Sequence, residues 1–120
     1  MSDITGRLNL LLDRIDGALA ASLVAADGIA VATVNRNGGF DLEVLAAELL
    51  TQVRAISQEQ RDLAVGEVDQ YSVSTDRLTI LIGRLQTGYY LLLVLGRQGG
   101  YGRARFELRR ARLLFEDDLS

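Results

Sequence analysis

Residues 18–34 read Ala18-Leu19-Ala20-Ala21-Ser22-Leu23-Val24-Ala25-Ala26-Asp27-Gly28-Ile29-Ala30-Val31-Ala32-Thr33-Val34. An Asp-Gly pair between two apolar runs is the strongest short-range hairpin signal, because the tight turn needs positive φ at its centre. With Asp27-Gly28 as a two-residue loop, Ala25 faces Ala30, Leu23 faces Ala32 and Ala21 faces Val34. That face of the hairpin is wholly apolar. The other face holds Ser22, Val24, Val31 and Thr33, which is mixed but far from polar. The pattern predicts a hairpin covered on both sides.

Upstream, Ile4, Leu8, Leu11, Leu12 and Ile15 recur at spacings of three and four. They predict a helix over 4–16, with Gly17 as its stop signal. Downstream, Asn35-Arg36-Asn37-Gly38-Gly39-Phe40 is a polar loop, and Asp41 stands at an N-cap position. A long helix follows to about Arg61, with Leu42, Leu45, Ala46, Leu49, Leu50, Val53 and Ile56 on its core stripe. A strand is expected over 63–74, around Val65, Val68, Tyr71 and Val73. Thr75-Asp76-Arg77 turns into a strand over 78–85, and Gln86-Thr87-Gly88 turns into another over 89–95. The latter is apolar on both faces and therefore central in its sheet. Tyr89 and Tyr90 at its start are ordinary strand residues. After a glycine-punctuated loop over 96–100, a last helix over 101–118 turns Tyr101, Ala104, Leu108, Ala111 and Phe115 inward.

The order is helix, strand, strand, helix, strand, strand, strand, helix. No linker or repeat divides it. It predicts a single domain over 1–120 of the α+β class: one five-stranded antiparallel sheet with helices on both sides.

Composition narrows the chemistry. The 120 residues include no Cys, no His, no Pro and no Trp, and all 13 basic residues are Arg. Without Cys and His there is no thiolate, no Ser-His pair and no ordinary zinc, copper or haem site. Without Lys there is no Schiff base and no lysine-dependent phosphate loop. The loop over 96–100 lacks the full glycine fingerprint and the βαβ setting of a nucleotide site. The chain is therefore expected not to be an enzyme, and to bind no cofactor and no metal. Residues 1–60 carry eight acids and four arginines, and residues 61–120 carry eight acids and nine arginines. The formal net charge of −3 gives neither half the basic balance that nucleic acid requires. No apolar run approaches membrane-spanning length and the N-terminus has no hydrophobic signal core, so a cytoplasmic protein without membrane insertion is expected.

Four stretches in this order carry a resemblance over nearly the whole chain. They are Leu10-Leu11-Leu12-Asp13-Arg14-Ile15-Asp16-Gly17, the stretch Ala20-Ala21-Ser22-Leu23-Val24-Ala25-Ala26-Asp27-Gly28-Ile29, the start of the long helix Leu45-Ala46-Ala47-Glu48-Leu49-Leu50, and Gly102-Arg103-Ala104-Arg105-Phe106-Glu107-Leu108-Arg109-Arg110-Ala111. Together they resemble the roadblock family, which includes the dynein light chain of that name and bacterial regulators of small GTPases. The resemblance implies a sheet in the order second, first, fifth, fourth, third strand. It places the long second helix on one face and the first and last helices on the other. It also implies a homodimer formed through the third strand and the long helix. That dimer serves as a non-enzymatic platform that regulates or scaffolds a Ras-like small GTPase. Family activators are not known for supplying an arginine finger, so any activation implied is by positioning the GTPase's own residues.

Particular residues bear on that expectation. Val44, Ala47, Thr51, Ala55 and Gln58 fall opposite the core stripe of the long helix, and four of the five are small or apolar. A smooth back lets another helix approach, although alanine is also simply a good exposed helix former. The strand before residue 74 is the natural edge. Glu67, Asp69 and Gln70 either defend it or leave it to pair with its own copy. The expected dimer interface is Val44, Ala47, Thr51 and Ala55 of the helix with Val68, Gln70 and Ser72 of the strand. The expected partner rim is Glu43, Glu48, Gln52, Arg54 and Glu59.

The last helix carries Arg103, Arg105, Arg109, Arg110 and Arg112. The alternative function is an Arg-rich module that binds nucleic acid or acidic membrane. Against it stands a solvated face with helix ion pairs Arg103–Glu107 and Arg112–Glu116. Leu10, Phe106 and Leu113 lie outside the inner stripes, and either pack together or form a small exposed patch. Glu116, Asp117 and Asp118 form a solvated acidic end.

Overall fold

The computed structural model describes residues 3–36, 39–62, 64, 66–85 and 88–114, the side chains of residues 59–62, 113 and 114 excepted. The elements in chain order are α1 (Ile4–Asp13), β1 (Ala18–Val24), β2 (Ala30–Asn35), α2 (Leu42–Asp62), β3 (Gln70–Ser74), β4 (Leu78–Arg84), β5 (Tyr90–Gly96) and α3 (Tyr101–Leu114). The strands form one antiparallel sheet in the order β2-β1-β5-β4-β3. Among the described residues no helix is long and apolar enough to cross a membrane.

The β1–β2 hairpin forms with a longer turn than the Asp-Gly pair implied. The Gly28 N–H donates to the Ala25 carbonyl at 2.9 Å, and the Ala25 N–H donates to the Ile29 carbonyl at 2.9 Å. Within this turn only Gly28 has positive φ, at 92°. The loop is thus Ala26-Asp27-Gly28, a turn closed by a left-handed glycine, in which Asp27 needs no strained backbone. Its carboxylate instead accepts the Ile29 N–H at 3.0 Å. Ala21 faces Val34 and Leu23 faces Ala32 as predicted, but the register shifts after Leu23 and Val24, not Ala25, faces Ala30.

The core has two layers divided by the sheet. Leu91, Leu93 and Leu95 of β5 point to one side, where Leu8, Leu11 and Leu12 of α1 and Ala104, Leu108 and Ala111 of α3 cover them. Leu92 and Val94 point to the other side, under Ala46, Leu49, Leu50 and Val53 of α2. These five β5 residues are all buried, which is why the strand reads as apolar and lies at the centre. β1 is likewise buried on both faces. β2 is not: Ala32 and Val34 pack into the α1–α3 layer, while Val31 and Thr33 are exposed on the α2 side. The expected two-sided cover fails there because the layer under α2 takes in residues of β1, β5, β4 and β3 but, among the described residues, none of β2.

Two other boundaries differ from the sequence reading. α1 ends at Asp13, not residue 16, with Arg14 as C-cap. Ile15 is still buried, held by a turn in which the Ala18 N–H meets the Ile15 carbonyl and Gly17 takes φ 79°. A Cβ on Gly17 would stand 2.6 Å from the Gly99 Cα. The Gly96 and Gly100 N–H groups donate to the Gly17 and Asp16 carbonyls, each at 2.8 Å. The loop over 96–100 is therefore a backbone clasp on the start of β1, which accounts for its glycines without a phosphate.

The strand expected over 63–74 begins only at Gln70. Ala64 and Gly66, at φ 57° and 98°, turn the chain instead of extending it; Val65 lies outside the described residues. Tyr101, expected to point inward, is 42% exposed and lies over the sheet edge, with its hydroxyl 3.0 Å from Ser72 Oγ. Phe115, Leu113 and the acidic end Glu116, Asp117 and Asp118 lie outside the described residues or side chains, as does the Gln86-Thr87 part of the β4–β5 turn.

Candidate partner surface

α2 starts where Asp41 caps it: the Asp41 carboxylate accepts the Glu43 and Val44 N–H groups at 3.1 and 3.2 Å. The spacing of the apolar residues then sets which side of the helix faces the sheet. Leu42, Ala46, Leu49, Leu50 and Val53 are buried, and Leu45 and Ile56 are half-buried. The opposite side is open to solvent. Val44 is 58% exposed, and Ala47, Thr51 and Ala55 are exposed along the same line. Thr51 donates its hydroxyl to the Ala47 carbonyl at 3.0 Å. This folds its polar group against the helix and leaves its methyl outward. The surface is smooth, and one turn-to-turn line of it contains no charge.

Glu43, Glu48, Gln52 and Arg54 flank this line and are all exposed; the Glu59 side chain lies outside the described residues. Arg54 also borders a cleft of about 370 Å³ with Ser57, Gln58, Glu67, Arg84 and Tyr90. The arginine at the C-terminal part of the rim thus sits beside a depression rather than on a plain helix face.

The edge-strand residues divide. β3 pairs only with β4 among the described residues, so its outer backbone edge is open. Val68, which precedes the strand, packs against the α2-side layer together with Tyr71 and Val73. Gln70 and Ser72 project to the opposite face: the Gln70 side-chain amide donates to the Arg105 carbonyl at 3.3 Å, and Ser72 Oγ meets the Tyr101 hydroxyl. Val68 therefore joins the α2 side, with Val44, Ala47, Thr51 and Ala55. Gln70 and Ser72 reach the α3 side across the open edge.

The arginines of α3 are organised by a residue that the sequence reading placed on a solvated face. Glu107 is fully buried, at 0% exposure. Its carboxylate lies 2.9 Å from Arg103, 3.8 Å from Arg14 and 3.9 Å from Arg110. The expected Arg103–Glu107 pair forms, but as the inner end of a cluster that ties α3 to the end of α1. Ala104, Glu107, Leu108 and Ala111 share a single buried stripe. That i, i+3, i+4, i+7 spacing was the available signal. Arg112, paired in the sequence reading with Glu116, instead lies 3.7 Å from Asp69, which also accepts from Arg84 at 2.7 Å. Among the described residues no group of three carboxylates gathers where a cation could sit.

No family model matches the sequence, and no curated protein matches it. Solved structures do. The Roadblock/LC7 domain from Streptomyces avermitilis superposes with a TM-score of 0.87 at 18% identity, over 98% of each chain. The gliding protein MglB from Thermus thermophilus gives 0.83 at 17% identity, over 96% of this chain and 87% of that one. MglC from Myxococcus xanthus gives 0.70 at 29% identity, over 98% of this chain and all of that one. The chain has the Roadblock/LC7 fold, with the strand order and helix placement that the resemblance implied.

Proposed function

We propose that this chain, built on the Roadblock/LC7 fold, is a non-enzymatic homodimeric platform that binds a Ras-like small GTPase and regulates or scaffolds it. The observation behind the reading is the exposed back of α2. Val44, Ala47, Thr51 and Ala55 form a smooth, uncharged line, and the outer edge of β3 is open. Two copies related by a two-fold axis would bury this line and pair the edges, removing the unpaired backbone that an isolated edge exposes. The structural likeness to MglB and MglC supports a place in small-GTPase systems. The dimer axis would leave Glu43, Glu48, Gln52 and Arg54 around a shared centre, a mostly acidic rim suited to a partner with basic and apolar residues. Rim charges act mainly on association rate and specificity. Any activation would be by positioning the switch loops so that the GTPase's own residues meet the γ-phosphate.

The Arg-rich alternative has less support. Arg103 and Arg110 surround Glu107, and Arg112 faces Asp69. Carboxylates of the fold interrupt this set of arginines, which does not form the continuous basic stripe that nucleic acid needs.

The test is titration calorimetry of Ras-like GTPases from the source organism, loaded with a non-hydrolysable GTP analogue, against variants confirmed as dimers. Two protomers per GTPase are expected, with Glu48→Arg weakening binding more than Arg109→Glu. An equal or larger loss from Arg109→Glu would move the site to α3, and an absence of binding to every such GTPase would end the reading.

A further inference from the structure

On the opposite side of the sheet from α2, the two covering helices do not close against each other. A groove of about 560 Å³ runs between α1 and α3. Leu11 and Ala111, both buried, form its floor, and Leu10, 58% exposed, stands on its rim. Arg7 and Arg14 from α1 and its cap, and Arg110 from α3, line its walls; Asp3 adds an acid at its mouth. One turn before Arg110 on α3, Phe106 is 51% exposed, with the Arg103 guanidinium 5.5 Å from its ring centre. Leu10 and Phe106 therefore do not pack into the core, and the groove sets apolar surface beside arginine guanidinium groups.

The arginines are also held in place. Glu107 lies buried beneath them, 3.8 Å from Arg14 and 3.9 Å from Arg110. At those separations it restrains both heads without consuming their hydrogen-bonding capacity, which requires a closer approach. Both side chains remain more than a third exposed. A ligand carboxylate would meet donors already ordered from below, which lowers the entropic cost of binding.

We propose that this groove docks an acidic amphipathic helix of a partner protein. Charge complementarity selects the occupant. Arg14 and Arg110 beside an apolar floor fit carboxylates flanking large apolar side chains; they do not fit a basic segment or a purely apolar one. The length follows from α1: ten residues at a helical rise make a wall of about 15 Å, room for roughly three turns of a third helix. Its anchors would be apolar residues at i, i+4 and i+7, one over Leu11 and Ala111 and one against Leu10. This surface is separate from the α2 face, so the platform would hold two partners on opposite sides of one sheet.

The probe is a fluorescein-labelled three-turn synthetic peptide, with Leu or Phe at i, i+4 and i+7 and Glu at the remaining exposed positions. Its controls are the same composition scrambled and the same pattern with Lys for Glu. The patterned acidic peptide is expected to bind with micromolar affinity that falls as salt rises, and the controls are expected not to bind. Leu10→Glu, at an exposed site that does not threaten the fold, should weaken binding at least about tenfold; Val44→Glu on α2 should leave it unchanged. Failure of the acidic peptide to bind, equal binding by either control, or insensitivity to Leu10→Glu would overturn the proposal. So would a fall in particle mass on Leu10→Glu, which would make the groove a contact between copies. Tighter, groove-dependent binding to phosphatidylserine vesicles than to the peptide would overturn it in favour of a membrane.

Discussion

Arg103 and Glu107 stand one helical turn apart on α3 with 2.9 Å between guanidinium and carboxylate, yet one is half exposed and the other has no solvent exposure. On a solvated helix this order, cation before anion, is the weaker arrangement of an i, i+4 pair. Here burial changes the balance. The carboxylate has left water, and its charge is met by Arg103, Arg14 and Arg110 together. The pair is thus a joint between α1 and α3 as well as a local helix contact.

Glu107→Ala is expected to destabilise the fold by about 1–2 kcal/mol. Breaking a fully buried pair costs more, about 3–5 kcal/mol, but these arginine heads reach solvent and rehydrate when the carboxylate is removed. Glu107→Met, which keeps the volume and removes the charge, should lose less than Glu107→Ala. Urea unfolding monitored by circular dichroism compares the midpoints; an unchanged midpoint for Glu107→Ala would show that the cluster contributes nothing to stability.

Gly17→Ala should be among the more damaging single-methyl additions in the chain. The residue sits at φ 79° and its new Cβ would press on the Gly99 backbone, which cannot swing away as a flexible side chain can. Left-handed strain alone costs about 1–2 kcal/mol for alanine, and the backbone collision adds to it. Gly28→Asn makes the internal control: φ is also positive, at 92°, but nothing lies within 4 Å of the added Cβ. Asn tolerates that region, so a loss under about 1 kcal/mol is expected. Thermal unfolding of both variants would refute the close-packing account if they fell equally.

Asp41→Ala removes the acceptor for two N–H groups at the head of α2 and should cost about 1 kcal/mol. Hydrogen exchange should show the loss concentrated in the first turn, at Glu43 to Leu45. Protection lost evenly along α2 would contradict a capping role.

Thr51→Arg or Ala55→Arg should convert a dimer to a monomer while leaving each protomer folded, because both side chains are exposed on a single chain and only a second copy would force the new charge out of water. Light scattering at micromolar concentration is the measurement. A wild-type chain that is already monomeric there would remove the basis for the platform.

Much of this architecture could be read along the chain. The spacing of Leu42, Ala46, Leu49, Leu50 and Val53 defined the buried side of α2 and hence its smooth back, and Asp41 marked its start, because periodicity and capping depend on residues within a few positions of one another. The unbroken apolar run of β5 marked the central strand for the same reason. The length of β3 could not be read this way. Val68 and Gln70 look like alternate residues of a single strand, yet Ala64 and Gly66 bend the chain ahead of it, and Val68 and Gln70 end on opposite sides of the sheet.

The sequence by itself determined which segments become helices and strands, their order, and the chemistry that is missing: 13 arginines, no lysine, no histidine and no cysteine. Only the tertiary structure decided what each face meets. Val31 is exposed because α2 does not extend over β2, and Glu107 is tolerated in a buried stripe because Arg14, 93 positions away in the chain, arrives beside it. A groove rather than a closed seam lies between α1 and α3, with Leu10 on its rim and not in the core. Local patterns are set by neighbours in sequence, whereas cover, charge pairing and open surface depend on where distant elements come to lie across the sheet.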